Sequence, residues 1–181
     1  MNRKLVILDR DGVINRESSA FVKSPDEWVP LPGSIRAIAT LSRAGFIVAV
    51  ASNQSGLARG LFDRNTLRAM HRKLRKLVAT AGGRVDRIEV CPHGPDEGCS
   101  CRKPSPGLLY RLAHRFHADL AATPVIGDSL RDLEAAAAAG ARPILVRTGN
   151  GRETETTLDG ALAGTEVFDD LAAAARALVR E

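Results

Sequence analysis

A three-layer α/β sandwich on a mainly parallel sheet is predicted by three features of this 181-residue chain. Short apolar runs recur from one end to the other, amphipathic helical patterns separate them, and the first four runs each open into a polar cluster at the carboxyl end. Parallel strands joined through helices require right-handed crossovers, so helices cover both faces of the sheet and the fold is Rossmann-like. Ligands of such sheets bind beyond the carboxyl ends of the strands, where the polar clusters fall.

The elements follow in order. KLVIL (4–8) is the first strand candidate, and Ser34 is placed to cap a helix carrying Ile35, Ile38 and Leu41. FIVAVAS (46–52) is the second strand. Asp63 caps a long helix with Leu67, Met70, Leu74, Leu77 and Val78 on one side, which Gly82 and Gly83 stop. RIEVC (87–91) is the third strand, and a helix over 106–116 precedes PVIGD (124–128), the fourth. Ser129 or Asp132 opens an alanine-rich helix that ends at Gly140. RPILV (142–146) is the fifth strand, EVF (166–168) a short sixth, and a helix over 170–179 closes the chain. The polar, glycine-rich stretch 149–164 reads as a mobile surface loop.

The length suits one domain spanning 1–181. With 44% hydrophobic and 26% charged residues the composition is that of a soluble globular protein. No apolar run nears the roughly 18 residues of a membrane span. The N-terminal MNRKLVILDRDG lacks the long apolar core and small-residue cleavage site of a secretory leader, so the expected location is cytoplasmic. The net charge of +5 rests on 21 arginines against five lysines, which suits a phosphorylated ligand. Arg64, Arg68, Arg72 and Arg75 form a stripe on the long helix. No aromatic platform accompanies it, so a solvated face is expected there and no nucleic-acid partner.

Asp9 and Asp11 stand two apart just past the first strand, so an extended backbone turns both carboxylates to one side. Two adjacent carboxylates repel and call for a cation or a shared proton. Asp128 ends the fourth strand on the same edge, and Asp132 follows one helical turn later. Oxygen-only donors suit Mg²⁺; the alternative for Asp128 is a helix cap, and Asp132 is as well placed to cap as to act in the site. Ser52, Asn53, Gln54 and Ser55 end the second strand with hydroxyls and free backbone N–H groups suited to phosphoryl oxygens. Cys91, His93, Cys99 and Cys101 supply three thiolates and an imidazole within eleven residues. That is a closed tetrahedral set for a structural Zn²⁺, with no open position for catalysis. Arg102 and Lys103 follow the last of these ligands. Lys103 can neutralise phosphate as a point charge, while the planar fork of Arg102 can grip a second phosphate or sugar hydroxyls. The connection RESSAFVKSPDEWVPLPG (16–33) is long for a strand-to-helix link, and Phe21 and Trp28 are expected to pack it down.

DRDGVIN, a hydroxyl after the second strand, a lysine between the third and fourth, and GDSLRD together resemble the haloacid dehalogenase superfamily of aspartate-nucleophile phosphatases. Within it, LDRDGVIN, SNQSGLARG, CPHG…CSCRKPSPG and GDSLRDLEAA resemble the heptose 1,7-bisphosphate 7-phosphatase family over residues 4–150. Ser52 stands where the family often has threonine, the metal loop is short, and the last thirty residues carry no diagnostic motif.

The resemblance implies a capless enzyme in which Asp9 is the nucleophile and Asp11 the general acid and base, protonated at the start. It implies Mg²⁺ held by the Asp9 carboxylate, the Asp11 carbonyl and Asp128, with Ser52 and Lys103 on the phosphoryl oxygens. Segment 16–33 would be a small flap bringing Glu17, Ser18, Ser19 and Ala20 near the ligand. The implied substrate is a small sugar bisphosphate used in ADP-heptose and lipopolysaccharide precursor synthesis; a monomer is the default expectation. Histidinol phosphate, a nucleic-acid 3'-phosphate, or a zinc-containing phospho-acceptor module without turnover are the rival expectations.

Overall fold

The computed structural model describes residues 4–181; residues 1–3, at the head of the N-terminal stretch, lie outside the described residues. The elements are β1 (Leu5–Leu8), α1 (Ser34–Arg43), β2 (Ile47–Asn53), α2 (Arg64–Thr80), β3 (Arg87–Cys91) and α3 (Gly107–Phe116). They continue with β4 (Pro124–Gly127), α4 (Leu130–Ala138), β5 (Arg142–Val146), α5 (Gly151–Glu155), β6 (Glu166–Phe168) and α6 (Leu171–Arg180). The six strands form one sheet in the order β3-β2-β1-β4-β5-β6, and every pairing is parallel. The chain builds outward from β1 to β3, returns to the middle, and builds outward again from β4. The carboxyl ends of β1 and β4 therefore flank the switch point at which open α/β sheets bind ligands.

Strand alternation sorts the core into two layers. Val6 and Leu8 of β1, Val48 and Val50 of β2 and Ile126 of β4 pack with Ile38 and Leu41 of α1, Met70 and Leu74 of α2, and Ala174 and Leu178 of α6. Leu5, Ile7, Ala49 and Ala51 turn the other way, against Leu108, Leu109 and Leu112 of α3 and Ala135 and Ala136 of α4. Each fully buried leucine or isoleucine adds about 1.5–3 kcal/mol over leaving it exposed. That is why β1, covered on both faces, is apolar throughout. β3 lies on the sheet edge and carries the exposed Arg87–Glu89 ion pair (2.8 Å), charge of the kind that discourages edge-to-edge pairing.

Asp63 accepts from the Thr66 amide (2.7 Å) and Asp170 from that of Ala173 (2.7 Å), the caps of α2 and α6. Ser34 does not cap α1. Gly33 takes the cap position with φ 78°, and the buried Ser34 hydroxyl instead donates to the Ile14 carbonyl (2.6 Å) and lies 2.9 Å from that of Leu31. The four arginines of the α2 stripe are all exposed.

Stretch 149–164 is not a plain surface loop. It holds α5 and a 3₁₀ turn at Gly160–Leu162, with Gly151 and Thr154 buried. A side chain at Gly151 would collide with the Val146 carbonyl, so only glycine lets the chain fold back onto the end of β5.

Segment 16–29 projects as a flap closed at its base, where the Arg16 amide meets the Val29 carbonyl (2.9 Å) and the Leu31 amide that of Ile14 (2.9 Å). Trp28 is fully buried beneath it. From α2, the Lys73 ammonium donates to the Pro25 (2.6 Å) and Trp28 (2.8 Å) carbonyls and lies 5.9 Å from the Trp28 ring centre.

Candidate active site

A cleft of about 240 Å³ opens over the carboxyl ends of β1 and β2, lined by Asp9, Arg10, Asp11, Glu17, Ser18, Phe21, Val22, Asn53, Gln54, Ser55, Arg59, Arg102, Lys103 and Arg131. Behind it Asp9, Asp128 and Asp132 converge, each offering an oxygen within 4.8 Å of the others.

Lys103 sits among these acids. Its ammonium, 3% exposed, donates to Asp9 Oδ1 (2.9 Å) and the Ala51 carbonyl (2.7 Å) and forms an ion pair with Asp132 Oδ1 (2.6 Å). Its backbone is fixed too. The Asn53 amide receives the Lys103 N–H (3.0 Å) and donates to the Lys103 carbonyl (3.0 Å), docking the end of the cysteine loop onto β2. Asn53 thus lines the cleft but spends its side chain on this clamp.

Asp132 does both things that its sequence position allowed. It closes the capping box of α4, accepting from the Ser129 amide (3.1 Å) and hydroxyl (2.6 Å), and it pairs with Lys103. Ser129, not Asp128, takes the cap position, which leaves the Asp128 carboxylate in the acid cluster. Asp128 is oriented from the segment that follows β5: the Asn150 backbone N–H donates to its Oδ2 (2.8 Å), and Thr154 Oγ1 donates to its carbonyl (2.8 Å). Gly12 and Gly149, both at positive φ, flank the same carboxylate, and a methyl group on either would overlap it. The Asn150 side chain also donates to Glu17 of the flap.

Asp11 faces away from the acid cluster. Arg10, 1% exposed, grips it at 2.9 and 3.1 Å; Asn15 donates to it at 2.8 Å and Gln54 at 2.8 Å. Burial alone would raise the Asp11 pKa, but the Arg10 charge and these hydrogen bonds outweigh it and hold the group below the usual carboxylate range. Asp9 is pushed up to about 7 by burial and by Asp132, against the pull of Lys103. Asp128 is pushed up to about 9 by burial and then by Asp9 and Asp132. Burial and the neighbouring acids thus favour the protonated form of Asp9, whereas Arg10 and the hydrogen bonds favour the ionised form of Asp11. Three clustered acids share one lysine, whereas Asp11 has an arginine to itself.

Hard oxygen donors this close, with a deficit of positive charge among them, fit Mg²⁺. Asp9 and Asp128 would hold it, with the Asp11 carbonyl. The cysteine cluster fits zinc. Its sulfur–sulfur distances are 3.1, 3.6 and 3.7 Å, and His93 Nδ1 lies 3.5 and 3.3 Å from Cys91 and Cys101. A tetrahedron with Zn–S of about 2.3 Å and Zn–N of about 2.0–2.1 Å has edges of about 3.8 and 3.6 Å. Arg102 leaves this loop toward the cleft, its guanidinium on the His93 carbonyl (3.3 Å).

Of the expected flap contacts, Glu17 and Ser18 line the cleft while Ser19 and Ala20 do not. Phe21 lies at the cleft instead of purely packing the flap: it has φ 66°, and the Arg59 guanidinium stands 5.6 Å from its ring centre. Ser52 is 1% exposed and set behind the lining. Arg10, Asn15, Arg59, Arg131 and Asn150 carry no local signal of their place here. Four of them do fall inside the motifs quoted above, Arg10 and Asn15 in DRDGVIN, Arg59 in SNQSGLARG and Arg131 in GDSLRD, while Asn150 falls in none.

A HAD-hydrolase-like family model matches residues 100–174. The D-glycero-β-D-manno-heptose-1,7-bisphosphate 7-phosphatase of Bordetella bronchiseptica is 59% identical over 98% of this chain and 99% of its own length. That of Pseudomonas aeruginosa is 55% identical over 99% of this chain and its full length. The chain belongs to the family of heptose 1,7-bisphosphate 7-phosphatases. Among solved family structures, the B. bronchiseptica enzyme complexed with magnesium and phosphate superposes with a TM-score of 0.94 over 98% of both chains. The Burkholderia thailandensis enzyme, 49% identical, superposes with a TM-score of 0.78 over 99% of this chain and all of its own. The heptose bisphosphate phosphatase family thus accounts for the whole described sheet, α5 and β6 included, and not only for the four motif-bearing loops.

Proposed function

We propose that this chain hydrolyses the 7-phosphate of D-glycero-β-D-manno-heptose 1,7-bisphosphate, in the supply of ADP-heptose for lipopolysaccharide precursors. The near-complete alignment with enzymes named for that reaction carries the proposal. We take it to work as a cytoplasmic monomer of one domain on a small molecule, without nucleic-acid or membrane partners; among the described residues no helix is long and apolar enough to cross a membrane.

In the proposed reaction an Asp9 oxygen attacks phosphorus, the bond from phosphorus to the sugar oxygen breaks, and Asp11 protonates the departing alcohol. Water then attacks the aspartyl-phosphate, Asp11 takes its proton, and phosphate leaves as Asp9 is restored. When bound, Mg²⁺ supplies the positive charge that ionises Asp9 and Asp128 and lets a carboxylate approach an anionic phosphate. The phosphate dianion beside Asp11 raises the affinity of that carboxylate for a proton, so substrate binding loads the general acid. Lys103 aims Asp9 and contributes positive charge beside the phosphoryl group. Ser52 donates to the phosphoryl group. Zinc would brace the loop that ends in Arg102 and Lys103. The cations at the mouth, Arg59, Arg102 and Arg131, suit a second anionic group on the substrate.

A substrate panel tests this. With Mg²⁺ present, kcat/KM is expected to rank the β heptose bisphosphate first, then the α anomer, with histidinol phosphate and a 3'-phosphorylated oligonucleotide far below. A higher kcat/KM for histidinol phosphate would overturn the substrate while sparing the chemistry. Turnover of none of them would point to a module that does not hydrolyse phosphate.

A further inference from the structure

We infer that Gln54, which faces the cleft, is a positioning residue that aims the Ser52 hydroxyl at the phosphoryl group. The inference rests on the phosphatase reading above. Gln54 is 5% exposed, and its backbone is tied to the end of β3 through a hydrogen bond from its amide to the Cys91 carbonyl (2.8 Å). Its side-chain oxygen accepts from Arg10 Nη2 (3.2 Å), while its nitrogen donates to Asp11 Oδ2 (2.8 Å) and Ser52 Oγ (2.7 Å).

A guanidinium offers only donors, so the amide cannot be flipped: the carbonyl end has to face Arg10. Arg10 is itself fixed, with Asp11 on one edge and His71 Nε2 3.4 Å from Nη1 on another. Both Gln54 amide protons are therefore spent inside the protein, one on the general acid and one on Ser52. Ser52 Oγ becomes an acceptor toward Gln54, and its single proton must point elsewhere. Among the described residues no protein acceptor takes that proton. The sequence suggested that Gln54 contacts substrate. Its geometry gives it a different task, which is to keep Ser52 a donor and to hold Asp11 and Ser52 in one frame.

The test is a double-mutant cycle on Gln54→Leu and Ser52→Ala, read as the inhibition constant of inorganic phosphate and as kcat/KM for the heptose bisphosphate, with Mg²⁺ present. Ser52→Ala is expected to weaken phosphate binding by about 10- to 100-fold, as for loss of one hydrogen bond to a charged group. Gln54→Leu should weaken it by about 10-fold in the parent but less than about twofold in the Ser52→Ala background. Equal factors in both backgrounds would overturn the inference. Gln54→Met is the second variant, and failure of both to fold would assign Gln54 a structural role and overturn it as well. A parent protein that releases no phosphate from any substrate would instead remove the phosphatase reading itself.

Discussion

An Asp9→Asn variant is expected to release phosphate at least about 10⁴-fold more slowly than the parent, the scale of loss seen when a covalent nucleophile is removed. The amide keeps the shape and the contact with Lys103 but cannot form an acyl phosphate. Stability should move the other way. Asp9 is raised to about 7 in the fold, against about 3.9 for a free aspartate. Its contribution to stability is therefore present below about pH 4 and lost as the pH rises through 7. Asparagine never ionises, so at pH 8 and without metal the variant should melt at or above the parent temperature, with no such gain at pH 4. Calorimetry beside a phosphate-release assay checks both halves. A variant that keeps appreciable turnover would remove Asp9 from the chemistry.

Lys103→Met is expected to be the most damaging change to fold and rate together. It removes the one ion-pair partner that Asp9 and Asp132 have among the described residues and leaves Asp132, 2% exposed, as a buried carboxylate whose remaining hydrogen bonds come from Ser129. Removing one partner of a buried ion pair costs about 3–5 kcal/mol, and loss of a charge-stabilising donor lowers kcat by about 10²–10³-fold. Lys103→Arg should not rescue the rate, because a planar fork cannot reproduce three contacts around one nitrogen. Adding Asp132→Asn to Lys103→Met should restore much of the stability and none of the rate, which separates the two roles. Denaturant unfolding and steady-state kinetics measure them, and a Lys103→Met variant with parental kcat would contradict the placement.

What the sequence made legible was local. Apolar runs marked the six strands because burial on both faces leaves no polar position in β1 or β4, and motif spacing placed Asp9, Asp128, Lys103 and the four zinc-type ligands at one edge. What escaped it depends on residues distant along the chain. Stretch 149–164 looked like a mobile loop because its glycines and threonines are turn-formers. Gly151 is needed beneath the Val146 carbonyl, and Thr154 and Asn150 fix Asp128 from more than twenty positions away. Nor could composition show that Arg10 turns inward to Asp11 and Gln54, since most arginines are exposed. That contact favours the ionised form of Asp11, which the motif alone does not show. The Ser34 cap failed for a similar reason: a tertiary acceptor, the Ile14 carbonyl, claimed its hydroxyl.

The phosphoryl group is expected to pass through Asp9 before reaching water. The most direct measurement is the stereochemical course at phosphorus, using a heptose bisphosphate whose 7-phosphoryl group is made chiral with sulfur and oxygen isotopes. Two successive in-line displacements, first by Asp9 and then by water, predict overall retention. Inversion would mean a single attack by water and would contradict the account.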